Sequence, residues 1–75
     1  MNKRPKFIVY VTVEDSVDLS KAKDHLKYKF LASRISLLEG EGINSIIFSV
    51  PMRRLNNVWE YLRKKRGIKK VWLGK

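Results

Sequence analysis

The groups in this chain that could act on a substrate are a few carboxylates and one imidazole. Asp15 or Asp18, together with Glu39 or Glu41, would make a set able to hold Mg²⁺ and cut a phosphodiester. Each of these acids also has a simpler duty open to it: a helix cap, a polar turn, or balance for a nearby Lys. His25 follows Asp24 on a helical segment, lacks a base partner in the pattern, and reads as a solvated surface residue. One His and no Cys leave no zinc set, no thiolate site and no disulfide. Serine-triad spacing, a phosphate-cradling glycine loop and a dinucleotide glycine pattern are all missing. The expectation is therefore a non-enzyme with neither metal nor cofactor, and a metal-dependent nuclease is the alternative.

Charge points to a partner instead. The chain carries 17 Lys and Arg against 7 Asp and Glu, a formal net charge of +10, and its pI is near 10.2. The cations run from Lys3 to Lys75, so no single tail accounts for them. A small domain of this charge repels itself, and a polyanion relieves the repulsion. Nucleic acid, DNA or RNA, is the first such partner to consider. An acidic protein met by a small regulator or inhibitor is the second.

Length bounds the rest. At 75 residues the chain reads as one domain, 1–75. A domain of this size buries only ~60–65% of its unfolded surface, so its core is small. Hydrophobic content of 44% argues for a globule over disorder. Apolar runs fall short of the ~18 residues that would span a membrane. The Phe7–Val13 run is too short and too alternating for a signal-peptide core. A cytoplasmic, soluble protein without a membrane partner is the expectation. The chain also lacks Gln and Cys and is rich in charge, as proteins from hot environments are, so a thermophilic source is one expectation.

Periodicity places the elements. Phe7–Val13 is β-branched and aromatic and predicts a strand. Asp18 is a good N-cap, and Leu19, Ala22, Leu26 and Phe30 recur at helical spacing over 19–32. Alternation over 34–39, the Glu39-Gly-Glu-Gly42 turn signal and the run 44–50 predict a hairpin. The competing reading is a single helix over 19–38, giving βαβαβ. Leu55, Val58, Trp59 and Leu62 stripe a second helix over 52–66, with Gly67 as an αL cap. On this pattern Trp59 belongs to the core, and Tyr28 and Tyr61 point outward. Val71–Leu73 is a last strand with Lys69, Lys70 and Lys75 guarding an edge. The order βαββαβ is the ferredoxin-like arrangement, α+β, which predicts a four-stranded antiparallel sheet ordered 4-1-3-2 with both helices on one face.

Strand parity then divides the side chains. Phe7, Val9, Val11, Val13, Ile46, Phe48, Val50, Val71 and Leu73 should meet the helices. Ile8, Tyr10, Thr12, Arg34, Ser36, Ser45, Ile47, Ser49, Lys70 and Trp72 should face out. Tyr10 and Trp72 could stack bases, and Arg34 and Lys70 could take phosphates. A second copy of the chain could equally cover this face or pair at an edge, which makes a homodimer an expectation. At one end the topology gathers Lys3, Arg4, Lys6, Lys29, Arg34, Arg53, Arg54 and Lys75 without an acid. At the other it gathers Glu14, Asp15, Asp18, Glu39 and Glu41 with Lys64, Lys65 and Arg66. Arg53 and Arg54 open a helix, whose dipole adds to phosphate binding.

Two resemblances follow from these residues. The topology is similar to that of the RNA recognition motif, and Tyr10 on the first strand is compatible with that family's stacking position. The third strand, Asn44–Val50, departs from it, with no Gly and a single Phe of inward parity. An acid just after the first strand, Asp15, resembles the pattern of small CRISPR-associated proteins that share this fold and size. What they imply is an RNA-facing sheet in the first case and metal-assisted phosphodiester chemistry in the second.

Overall fold

The computed structural model describes residues 6–40 and 42–74. The elements run β1 (Lys6–Val13), α1 (Leu19–Phe30), β2 (Ser33–Gly40), β3 (Ile43–Pro51), α2 (Met52–Lys64) and β4 (Ile68–Gly74). The four strands form one antiparallel sheet ordered β2-β3-β1-β4. This is the expected α+β, ferredoxin-like βαββαβ fold. The single long helix over 19–38 is excluded, because the backbone leaves the helix at Leu31. That residue adopts φ 59°, and the Ala32 amide closes back on the Leu26 carbonyl at 3.1 Å. A leucine in this left-handed cap is strained where glycine would not be.

Helix α1 starts as its sequence dictates. The Asp18 carboxylate accepts the Lys21 amide at 3.1 Å, and the charge lies at the positive end of the helix. Its stripe of Leu19, Ala22, Leu26 and Phe30 is buried in full. Val58 and Leu62 of α2 are buried with it, and Leu55 packs at the margin. Beneath them lie Val9, Val11 and Val13 of β1 and Ile46, Phe48 and Val50 of β3. These six residues are the floor of the core, and α1 and α2 are its roof.

The roof does not reach every strand. Helix α1 packs over β2 and β3, and α2 packs over β1 and β3. Strand β4 has no comparable cover. Val71, which has core parity, is only half-buried, and Leu73 is 50% exposed although it points to the helix side. Leu73 therefore corrects the parity assignment: parity names the face, but only a helix above it makes that face dry.

Three further residues depart from expectation. Trp59 is 39% exposed and lines a groove between α2 and β4, so it is not a core residue. Tyr61 does not point freely outward; it is half-buried and stacks on His25 with ring centroids 4.5 Å apart and planes at 10°. Phe30 closes this aromatic group at 5.3 Å from Tyr61 and 5.7 Å from His25, joining the two helices. Helix α2 ends at Lys64 with Lys65 extended, two residues before Gly67. Gly67 is not its immediate cap, but it does hold φ 92° in the turn into β4.

Gly67 has no room for a side chain. A Cβ there would collide with the Val17 side chain, and the Gly67 carbonyl accepts the Glu14 amide at 2.7 Å. Gly67→Ala should destabilise the fold by about 1–3 kcal/mol, from strain at positive φ together with overlap. Thermal melts of Gly67→Ala with and without Val17→Ala separate the two causes. Coupling should be positive, because truncating Val17 relieves the overlap and leaves the dihedral strain. Strict additivity would show that Val17 is not the obstacle.

Candidate nucleic-acid interface

Pairing register sets the open face of the sheet. One row crosses all four strands: Ser36 opposite Ile47, Ile47 opposite Tyr10, and Tyr10 opposite Trp72. The neighbouring row is Leu38, Ser45, Thr12 and Lys70. Parity gave most of this set. Leu38 was missed on the open face; it is there because Ser45, its partner, is there. Tyr10 is 38% exposed, Trp72 43% and Leu38 53%. The Lys70 ammonium sits 5.0 Å from the Trp72 ring centroid, within cation–π range. These residues outline a shallow groove of about 420 Å³ lined by Tyr10, Thr12, Leu38, Ser45, Ile47 and Trp72.

Tyr10 is held over a glycine. A Cβ on Gly74 would lie 2.6 Å from Tyr10 Cε1, so the ring covers bare backbone at the end of β4. Lys6 shares the parity of Ile8 and Tyr10 and stands at the other end of the same face. Its ammonium reaches the Ser33 hydroxyl at 3.5 Å, and its backbone pairs with Pro51 just before α2.

Arg34 is not in the regular row. The β2–β3 register slips between Ser33 and Ser36, and Arg34 takes φ 51° within the irregularity. Parity cannot survive an inserted residue, so its assignment to the open face fails as an argument. The bulge leaves Arg34 exposed at the start of β2, beside the end of α1 and the start of α2. Lys6, Lys29, Arg34, Arg53 and Arg54 thus gather toward one end of the fold, and Asp24, further back along α1, shares a depression with Lys29. Arg53 is exposed. Arg54 is half-buried, and its Nε is out of solvent with no hydrogen-bond partner among the described residues. Lys3, Arg4 and Lys75, assigned to the same end, lie outside the described residues.

The opposite end has mixed charge. Glu14, Asp18, Lys21, Lys65 and Arg66 line one depression there. Asp15 accepts a hydrogen bond from the Asn44 side chain, which ties the loop after β1 to β3. Glu41 lies outside the described residues. Among the described residues, no three metal-ligating side chains come together. One ion pair forms among them, Arg63 with Glu60 at 3.3 Å along α2. Among the described residues, most of the positive charge is therefore left without an ion-pair partner. No helix among the described residues is long and apolar enough to cross a membrane.

Arg34 offers a test of this geometry. Arg34→Gly removes a cation and relieves a left-handed backbone at one position. Its melting temperature should hold or rise by an amount equivalent to up to about 1 kcal/mol. A clear fall in melting temperature would mean that the Arg34 side chain holds the bulge together.

No known family model matches this chain, and no curated protein matches it in sequence.

Proposed function

We propose that the protein is a nucleic-acid-binding module that grips mainly the phosphate backbone. The observation that supports the reading is the segregation of charge: the topology gathers five described cations toward one end of the fold, where Asp24 beside Lys29 is the acid at hand. Cations that repel one another at one end of a small domain gain most from a ligand with closely spaced negative charge. Duplex DNA presents one charge per ~1.7 Å of axis, and releasing its condensed counterions supplies the driving force. The start of α2 adds the positive end of a helix dipole beside Arg53 and Arg54. The unmet hydrogen-bonding capacity of Arg54 lies at the same place. An acidic protein is the competing partner, and it lacks the regular charge spacing that this end would use.

Binding should be strong at low salt and fall linearly in log–log form, with a slope of about −0.7 to −0.9 per phosphate neutralised. The double substitution Arg53→Ala with Arg54→Ala should weaken DNA and RNA uniformly across sequences and reduce the slope by about 1–2. Fluorescence anisotropy with labelled oligomers over a salt series reads both quantities. No measurable binding to any DNA or RNA at ~50 mM salt would sink the reading, and selective capture of an acidic protein would replace it.

A further inference from the structure

Resting on that reading, we infer that the groove on the open sheet face takes unpaired bases, so that the preferred ligand is single-stranded nucleic acid. Three features of the face converge on this. Tyr10 and Trp72 are register partners on adjacent strands and both are exposed, so two aromatic side chains stand next to each other on this face. Aromatic faces of this kind accept any base and need no sequence match. Between Leu38 on one edge strand and Trp72 on the other, the floor is Ser45 and Thr12, themselves register partners. Their hydroxyls can donate to or accept from the edge of a base. Lys70 beside Trp72 and Lys6 at the far end of the same face supply cations for the phosphates that the bases carry with them.

The face does not fit a second copy of the chain as well. In a two-fold pairing each residue meets residues of this same face. Among the described residues, the register places Lys6 and Lys70 on it and no carboxylate. Two such faces would bury cations against each other without an acid to pair them, between chains that each carry +10. A duplex fits no better, because its bases are stacked inside and present no free ring faces to Tyr10 and Trp72. A single strand supplies both the negative charge and the flat apolar surface.

The test compares ligands of equal charge. Wild-type protein is titrated with an oligothymidylate, an abasic strand of the same length, and a duplex of that length, at matched salt. The oligothymidylate should bind more tightly than the abasic strand by about 5- to 150-fold per stacked base. Trp72→Ala should remove most of that advantage, so that the ratio of oligothymidylate to abasic-strand affinity falls toward one. The wild-type comparison stands even if the variant fails to fold. Equal affinity for the base-bearing and abasic strands would overturn the inference and leave the backbone reading intact. Failure to bind any of the three would remove the backbone reading itself. A wild-type dimer by analytical ultracentrifugation that Trp72→Ala dissociates, without any base dependence, would assign the face to a second copy and overturn the inference.

Discussion

Burial of one face of β1 and β3 beneath two helices is the interaction on which the rest of this structure depends. Val9, Val11 and Val13 alternate down β1, and Ile46, Phe48 and Val50 answer them on β3. At about 25 cal/mol per Å² of apolar surface removed from water, six such side chains outweigh any polar contact the chain makes. Two helices of 12 and 13 residues cover the middle strands and reach β2 at one edge, but they leave β4 without comparable cover. The edge strands therefore hang partly outside the core. Strand β4 shows this on both faces, with Trp72 exposed on one and Leu73 on the other. Residues on the edges contribute little to the core, and they are where this fold can carry aromatic and basic side chains at small cost.

Electrostatics works against the same core. With one ion pair among the described residues, most of their cations are screened by solvent ions and not by an acid of the protein. Exposed like charges a few ångströms apart cost about 1 kcal/mol in water, and screening removes the effect beyond about 8–10 Å. The cost is thus local, and it concentrates where the topology brings cations together. At the end with Glu14, Asp15 and Asp18 the acids offset Lys21, Lys65 and Arg66. At the end with Lys6, Arg34, Arg53 and Arg54 the acid at hand is Asp24, further back along α1 beside Lys29. A small domain has few kcal/mol to spare against such repulsion. Retaining it is understandable when a ligand supplies the missing charge.

The sequence was most legible where one principle acted alone. Alternation along Phe7–Val13 and helical spacing from Leu19 to Phe30 each had a single consistent reading, and both elements formed as their patterns required. Asp18 was legible because an acid before an apolar repeat has one obvious local partner. The misreadings came where a second effect intervened. Trp59 flanks an apolar stripe, but the stripe there faces β4, which α2 does not cover. Leu73 fails for the same reason from the other side. Tyr61 points away from the stripe, yet α1 supplies His25 and Phe30 to meet it, a contact between elements that spacing within one helix cannot reveal. Arg34 was lost to a bulge, whereas Leu38 shares the parity of Ser36 two residues before it and was legible from that position. A parity argument holds only up to the first inserted residue.

The two kinds of contact lie on different parts of the sheet, and strand geometry links them. Lys6 stands where β1 begins, at the basic end, and Tyr10 lies four residues further along the same face. At about 3.3 Å per residue, that separation is roughly 13 Å. Stacked nucleotides in one strand advance by about 3.4 Å each, so a ligand needs on the order of four of them to reach from the cations to the groove. An unstacked strand covers the distance with fewer. Phosphate contacts at the strand ends would thus fix position and polarity, and the aromatic row would engage only a ligand whose bases are free to turn toward the sheet. On the proposed reading, a short, basic, two-layer domain would in this way distinguish strandedness without reading sequence, because charge alone attracts both forms and only one of them has ring faces to offer.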